Sequence, residues 1–364
     1  MTIHLRPSSS YRWTNCAASP SFEADLPAEP ESDEAREGTA AAWVADCVLR
    51  GDAADASDLD GRSHANGHLV TPDMVFHVQR YIDLIKSFGG MTTTEKFVRL
   101  TPTIAGTLDA STALQGGVLR ITDLKYGYEI VDVFENTQLL IYGGAEVLRL
   151  AALGINVASV TLGIFQPRAM HPDGIYRTWS LTVPDLWQYI EWIVARGEDC
   201  QRSQPIATPG RHCNHCRAAP SCVAFAHSAY RMFGVVQDAR QHKMTAAELS
   251  LELQFIALAA KMIEARKSAL FTEAETRIMK GEHVPGWGMK DTYGHRKFTV
   301  PAAVAHLLTG VDPMKKTVMT PAEFEREGAN PDIVAHIAKA PVVGRKVQPV
   351  NARDFAKAFS TEGK

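Results

Sequence analysis

The apolar and polar positions along the chain follow two periods, and their order predicts a mixed α/β fold. Apolar residues recur at helical spacing in four segments, at residues 34–49, 72–88, 134–153 and 183–200. Alternating or β-branched patterns mark five predicted strands, at residues 95–100, 103–113, 118–125, 158–165 and 179–183. Because helices and strands intersperse, we expect a central mixed sheet flanked by helices.

Turn residues separate these segments. Gly51 ends the first predicted helix, and Gly116 with Gly117 predicts a hairpin turn between the second and third strands. Residues 1–34 are rich in Ser, Pro, Asp and Glu, so we expect them to be loop-like. The pattern then changes beyond residue 235, where a long amphipathic helix over 246–280 presents Leu251, Phe255, Leu258 and Met262 on one face.

The change at residue 235 predicts two domains. The first covers residues 1–234 and holds the α/β core. The second, residues 235–364, is an accessory module of the long helix followed by a small α+β segment. A chain of 364 residues is long enough for one large domain and one smaller one.

Composition and charge limit the cellular compartments and the classes of partner that we expect. A hydrophobic content of 45% and a charged content of 22% are ordinary for a soluble globular protein. The net charge of -3 gives no global basic field, so contact with nucleic acid has to come from local patches. No run approaches the roughly 18 apolar residues of a membrane span, and the N-terminus lacks a signal-peptide core. We therefore expect a cytosolic, reduced protein of unknown oligomeric state.

An acidic pair and a lysine carry the candidate chemistry. Asp109 is predicted at the end of one strand and Asp123 near the end of the next, so hairpin pairing would bring their carboxylates together. Mg²⁺ and Mn²⁺ prefer such oxygens, and a bound cation lowers the pKa of an attacking water. Lys125 lies two residues after Asp123, on the same face of a strand, where an ammonium could orient water or neutralise a phosphate.

Gln138 and Tyr142 are spaced one helical turn apart and would face the same way. Together they could bind a phosphate or steady Lys125. Taken singly, each of these residues is as well explained as an ordinary strand-end or helix-surface position. Their ordered series favours the catalytic interpretation, a phosphodiester-hydrolysing nuclease.

The cysteines form a second candidate site. Cys213-x-x-Cys216 places two thiolates on one loop, Cys222 follows, and Cys16 lies far upstream. One pair, one near neighbour and one remote partner favour a [4Fe–4S] cluster over a zinc ribbon, which normally has two Cys-x-x-Cys pairs. A zinc-dependent scaffold remains the alternative. The other two cysteines, Cys47 and Cys200, are expected to serve ordinary packing.

In order, Cys16, Gly106-x-x-Asp109, Asp123-x-Lys125, Gln138-x-x-x-Tyr142 and Cys213-x-x-Cys216-x5-Cys222 form one composite pattern over about residues 8–226. This pattern resembles the PD-(D/E)XK nucleases of the RecB and Cas4 type, and more closely the phage-borne, Cas4-like DUF2800 group. Residues 280–350 are similar to the tail of that group, with lower specificity.

The resemblance implies a restriction-endonuclease-like core and a DNA exonuclease of phage replication or recombination in the bacterial host cytosol. It also implies phage recombination or replication proteins as partners. Asp109 and Asp123 would bind Mg²⁺ or Mn²⁺, Lys125 would be catalytic, and Gln138 and Tyr142 would support the site. The four cysteines Cys16, Cys213, Cys216 and Cys222 would hold the cluster.

One position departs from the family pattern. The family's first motif carries a metal-binding histidine on a helix, and Ala42 stands at that place here. Either the chain has lost a ligand, or Ala42 is an engineered inactivating change, or Glu37 or another residue such as His64 or His68 compensates. The alternative function is therefore a catalytically impaired protein that binds DNA or a partner on a nuclease fold.

Overall fold

The structure is a computed structural model, and it describes residues 2–24, 26, 31–237 and 245–288, without the side chains of 232–237. Residues 289–364, which hold most of the predicted accessory module, lie outside the described residues. The described residues belong to one compact unit, Met1–Thr292. The predicted domain boundary at residues 234 and 235 stays a prediction.

Helices and strands intersperse as the sequence predicts. The helices are α1 (Ser10–Asn15), α2 (Ser19–Ala24), α3 (Asp33–Arg50), α4 (Pro72–Ser87), α5 (Thr137–Ala152), α6 (Val183–Cys200), α7 (Val223–Gln237) and α8 (Ala246–Met279). The strands are β1 (Met91–Arg99), β2 (Ala105–Leu114), β3 (Val118–Leu124), β4 (Ser159–Phe165) and β5 (Tyr176–Thr182). Short 3-10 turns cover Pro7–Ser9, Ala56–Leu59 and Arg211–His215.

The strands form one mixed sheet in the order β1-β2-β3-β4-β5. Only β3 and β4 are parallel among these neighbours, and α5 makes the crossover between them. Gly116 and Gly117 adopt φ values of 80° and 74° in the β2–β3 hairpin, a left-handed conformation that costs glycine little. The predicted mixed sheet and its hairpin are confirmed.

Helices cover both faces of the sheet, because each face carries its own hydrophobic core. On one face, Leu119, Ile121 and Leu162 of the strands pack beneath α5 and α6. On the other, Leu124 and Phe165 pack beneath α3 and α4. The strand β4 is buried on both faces, since every residue from Val160 to Phe165 is buried.

The N-terminal segment corrects the prediction that residues 1–34 are loop-like. It contains α1 and α2, where Ser and Thr hydroxyls bond backbone carbonyls within one turn, as Thr14 does to Ser10 and Ser19 to Cys16. Trp13, only 2% exposed, anchors the segment in the first core. A polar composition therefore concealed short helices stabilised by one large buried side chain.

Long-range hydrogen bonds tie this segment to the chain that follows α6. The backbone of Ile3 donates to and accepts from the Gln201 side chain, 198 residues away, at 3.0 and 2.8 Å. The Glu23 carboxylate accepts from the Arg217 backbone N–H at 2.8 Å and pairs with Arg12 at 2.8 Å. The beginning and end of the α/β unit thus meet.

The long helix α8 packs against the cysteine-bearing loop. Met262 and Ala265 lie in a small core with Cys213 and Phe225, and Arg266 donates to the carbonyls of Ala219 and Pro220. The predicted apolar face of α8 is correct at Met262. Leu251, on the same predicted face, is 66% exposed.

No helix among the described residues combines the length and the apolar character that crossing a membrane requires.

Candidate active site

The β2–β3 hairpin brings Asp109 and Asp123 together. Ala110 pairs with Thr122, and the same register continued by one residue sets Asp109 opposite Asp123. The Leu124 N–H donates to Asp109 Oδ2 at 2.7 Å, which fixes that carboxylate against β3. Asp109 is inside β2, which runs on to Leu114, so its predicted position at a strand end is wrong. The strand extends on both sides because β1 pairs with it as far as Ala105.

The alternation of side chains along β1 and β2 is interrupted beside Asp109. Leu108 packs in the core beneath α5, and Ser111, three residues later, also faces α5, where it bonds Glu146 at 2.8 Å. An odd step should reverse the face in a regular strand. The pairing of the two strands omits Asp109 and Glu95, and Glu95 has φ 43°. The Asp109 side chain therefore lies at the point where the alternation of side chains between the two sheet faces is shifted by one residue.

The two aspartates share an electrostatically unfavourable setting, in which Asp109 is half-buried and Asp123 is buried. Asp123 is 1% exposed. Burial, and next the charge of Asp123, raise the pKa of Asp109 to about 8, against smaller opposing effects of Lys125 and the Leu124 N–H. Two neighbouring carboxylates in such a place repel each other unless a proton or a cation lies with them. This chemistry of the donor pair fits a divalent cation.

Lys125 supplies the positive charge of the site. Its Nζ lies 2.8 Å from Asp123 Oδ2. Burial acts to lower the pKa of Lys125, but the charges of Asp123 and Asp109 outweigh it, and the net pKa is raised. The ammonium is therefore charged at neutral pH and held on the same side of the strand end as Asp123.

Gln138, in the first turn of α5, connects these groups. Its Oε1 accepts from Lys125 Nζ at 3.2 Å, and its Nε2 donates to Asp123 Oδ1 at 3.0 Å. Tyr142, one helical turn later, has its hydroxyl 3.5 Å from the same amide nitrogen. Burial raises the pKa of this hydroxyl, so it is neutral. All five predicted residues, Asp109, Asp123, Lys125, Gln138 and Tyr142, are brought together.

Two further carboxylates border the site and were missed from the sequence. Glu95 of β1 and Asp46 of α3 line one small pocket with Asp109. Burial, followed by the charges of Asp46 and Asp123, raises the pKa of Glu95. Asp46 accepts from the Thr94 hydroxyl at 2.5 Å. The only signal in the sequence was an acidic residue interrupting a β-type run, which is common on exposed strands.

Ala42 lines this same pocket beside Asp46, Glu95 and Asp109. The structure thus places the departure from the family pattern in the pocket that Asp109 lines. Glu37, His64 and His68 do not line it.

The three residues named as possible substitutes have other contacts. Glu37 pairs with Arg168 at 2.7 Å, and the His64 ring lies 5.5 Å from that of Trp43. The His64 backbone N–H donates to the His68 carbonyl at 2.9 Å. Compensation for Ala42 by these three is not supported by their placement.

Within the described part of the chain, no group of three or more His, Cys, Asp and Glu side chains is arranged to hold a metal ion, and this includes the four predicted cluster cysteines. The residues that could hold a divalent cation are therefore the pair Asp109 and Asp123. One or two carboxylates suffice for Mg²⁺ when water and a substrate phosphate supply the remaining oxygens.

The four predicted cluster cysteines line one small apolar pocket with a cavity volume of about 20 Å³. Its lining includes Cys16, Cys213, Cys216 and Cys222, although Cys16 precedes the other three by about two hundred residues in sequence. Cys47 and Cys200 lie elsewhere: Cys47 borders the core under α3, and Cys200 lies in the first core, close to the Trp13 carbonyl. All six thiols are free of disulfides.

The protein environment of these thiols differs between positions. Burial raises the pKa of Cys216 to about 12, and it also raises that of Cys213. The Gly210 N–H donates to Cys213 Sγ at 3.4 Å, an interaction that favours the thiolate. Neutral thiols in a dry pocket would need a cation or a cluster to become thiolates.

The comparisons with known proteins bear on the family more than on the activity. The sequence model of the family described as "Protein of unknown function (DUF2800)" matches residues 3–329. The solved structure of SSO0001 is 16% identical, with a TM-score of 0.31 over 62% of this chain and 87% of that one. A "Putative exonuclease" from Eubacterium rectale is 12% identical, with a TM-score of 0.35 over 67% of this chain and 91% of that one. At these scores, neither likeness carries an argument about the site.

The raised pKa of Asp109 predicts a pH-dependent cost to stability. The folded pKa, about 8, lies above the ordinary value near 3.9, so the folded state binds more protons between them. Without divalent cations, stability should fall as pH rises through this window. Asp109→Asn removes the titration, so its Tm should exceed that of the wild type by at least about 3 °C at pH 9, and the difference should shrink towards pH 5.

Differential scanning fluorimetry from pH 5 to 9 measures this difference. The matched control is Asp132→Asn, at an exposed aspartate away from the acidic pair, which should follow the wild type at every pH. A Tm gap for Asp109→Asn that is constant with pH would contradict the assigned titration.

Proposed function

The chain belongs to the DUF2800 family, and we propose that it is a metal-dependent deoxyribonuclease, an exonuclease on a PD-(D/E)XK-type core. The observation that carries the proposal is the network in which Gln138 bonds both Lys125 and Asp123 while Asp109 lies across the hairpin. An acidic pair with an adjacent fixed ammonium suits phosphodiester hydrolysis.

Asp109 and Asp123 would hold Mg²⁺ or Mn²⁺. The cation, when bound, supplies Lewis-acid polarisation of the phosphate and lowers the pKa of the attacking water. The chain's own contribution is to keep both carboxylates in place before binding: Asp109 accepts from the Leu124 N–H, and Asp123 accepts from the Gln138 amide.

Lys125 would orient the attacking water and neutralise charge that develops on the phosphate. It can do this because its ammonium is charged and because Gln138 Oε1 restricts its position. Tyr142, a neutral hydroxyl on the far side of Gln138, would hold that amide in one orientation. The side chains of Asp123, Lys125 and Tyr142 are thus connected through the Gln138 amide.

A structural [4Fe–4S] cluster would be held by Cys16, Cys213, Cys216 and Cys222, the cysteines that share one pocket. The cluster would join α1's C-terminal end to the loop before α7, with α8 packed on the outside. The biological setting we propose is phage replication or recombination in a bacterial cytosol, with DNA as substrate and residues 235–364 as an accessory module.

Cleavage of linear DNA with Mn²⁺ is the first test. The variants Asp123→Asn and Lys125→Met should each lose at least about 100-fold in rate, because a metal ligand or the fixed charge is removed without loss of volume. Lys96→Met, at an exposed β1 lysine, and Asp132→Asn are the matched controls and should cleave like the wild type. Full activity in both site variants would contradict this mechanism.

Ala42 supports a second candidate function, a nuclease-fold protein that binds DNA or a partner with impaired catalysis. Its methyl group lies in the pocket with Asp109 where a histidine would add a ligand. Ala42→His should then raise Mn²⁺ affinity, measured by calorimetry, and raise the cleavage rate at least about tenfold, since ligand-sphere changes typically alter affinity or activity by 10–100-fold.

The outcome separates the two functions. Salt-sensitive DNA binding without cleavage, in both the wild type and Ala42→His, would favour the binding protein. Cleavage by the wild type would favour the nuclease.

The cluster predicts iron and sulfide in anaerobically purified protein, with a brown colour and absorption in the visible range. Cys216→Ser and Cys16→Ser should lose most of the iron, whereas Cys47→Ser, outside the pocket, should retain it. Elemental analysis with the visible spectrum measures this. A colourless protein that contains zinc would instead support the zinc scaffold.

A further inference from the structure

An exposed tyrosine follows the proposed catalytic lysine by three residues along the chain. Tyr128 is 67% exposed, although it belongs to a segment that follows directly on Lys125. Three residues span at most about 11 Å, a distance comparable to about three nucleotides at the 3.4 Å rise of a strand. A strand whose phosphate reached Lys125 would therefore have neighbouring bases within reach of this ring.

The ring is one member of a cluster that we name the Tyr–Arg–Tyr cluster, comprising Tyr126, Arg168 and Tyr128. The guanidinium carbon of Arg168 lies 4.5 Å from the ring centre of Tyr126 and 4.2 Å from that of Tyr128. Arg168 also donates to the Tyr128 hydroxyl. Tyr126 is buried, so the stack has a closed end in the core and an open end at Tyr128.

A buried polar network holds the segment that carries Tyr128. The Gln166 side chain, fully buried, donates to the carbonyls of Gly127 and Glu129 at 3.0 and 2.6 Å. Its Oε1 accepts from the Val131 N–H at 3.1 Å and from Arg177 at 2.8 Å. The backbone on both sides of Tyr128 is thus fixed, and the ring is presented to solvent without a loop having to become ordered on binding.

The charge of the cluster is already balanced. Arg168 forms an ion pair with Glu37 at 2.7 Å. The Tyr–Arg–Tyr cluster therefore offers little net attraction to a phosphate, and what it offers is a flat aromatic face backed by a guanidinium plane. Bases of unpaired strands bind proteins through such faces, and they do so with little sequence preference.

We propose that Tyr128 is a stacking platform for a base of single-stranded DNA, next to the phosphate at Lys125. The inference deepens the proposed nuclease function and rests on it for the placement of the strand. A duplex keeps its bases stacked within itself, so the platform favours an unpaired end or a frayed terminus. The Tyr128 platform adds DNA-binding affinity by stacking on the base, and not by releasing counterions from phosphates.

Fluorescence anisotropy with a labelled 20-nucleotide oligo-dT tests this proposal. Divalent cations are left out so that the oligonucleotide is not cleaved. Tyr128→Ala and Tyr128→Leu should weaken binding by about 5- to 150-fold, the range expected for loss of one stacked base. Tyr128→Phe keeps the ring and should bind within about twofold of the wild type. The matched control is Tyr230→Ala, which removes a 63% exposed tyrosine from α7 and should have no effect.

Two further measurements distinguish stacking from a structural role. The slope of log affinity against log salt should be the same in Tyr128→Ala and the wild type, because no phosphate contact is lost. An oligonucleotide of the same length built from abasic sites should bind both proteins equally. Equal affinity of Tyr128→Ala and the wild type for oligo-dT, or an equal loss on the abasic strand, would overturn the proposal.

The nuclease function can fail independently. If the wild type cleaves DNA with Mn²⁺ but Tyr128→Ala binds oligo-dT like the wild type, the platform is wrong and the nuclease stands. If no variant cleaves but the base-dependent loss is seen, the platform stands and the nuclease is wrong. An equal loss of affinity for duplex and single-stranded DNA would overturn the preference for unpaired strands.

Discussion

The burial of two neighbouring carboxylates is the constraint around which the rest of the site is arranged. Asp109, half-buried, lies opposite the buried Asp123, and the raised pKa of Asp109 reflects how unfavourable a second negative charge is there. A fold that keeps such a pair needs a compensating cation close by and donors that hold each oxygen. Lys125, the Leu124 N–H and Gln138 provide these, each from the end of a strand or the start of a helix.

The sheet accommodates the pair by departing from regular geometry. Beside Asp109, the strands β1 and β2 change the face to which their side chains point, and Glu95 adopts a positive φ. The change directs acidic side chains towards α3, where Asp46 and Ala42 lie, and not into the apolar core beneath α5. Backbone strain of this kind persists where the surrounding packing over-determines it, and here two covered sheet faces do so.

Much of this could be predicted from the sequence, because motifs in fixed order mark positions that strand pairing then brings together. Asp123, Gln138 and Tyr142 lie on regular elements, and Lys125 directly follows β3, so a period of two and one helical turn sufficed to group them. Asp109 was placed at the wrong part of its strand, and Glu95 was missed, since both depend on an interruption in pairing that periodicity cannot express. The helices α1 and α2 were missed because six residues are too few for an amphipathic repeat, and in α1 a single buried tryptophan supplies the packing.

The hydrogen bonds between Ile3 and Gln201 have a consequence for how the protein is made. A ribosome adds roughly 5–20 residues per second, so the first residues to emerge wait roughly 10–40 s for partners that are 198 positions later. During that interval Trp13 lacks the part of its core that α6 supplies. Completion of the α/β unit is therefore a late event in translation, set by the order of synthesis and not by the speed of any local step.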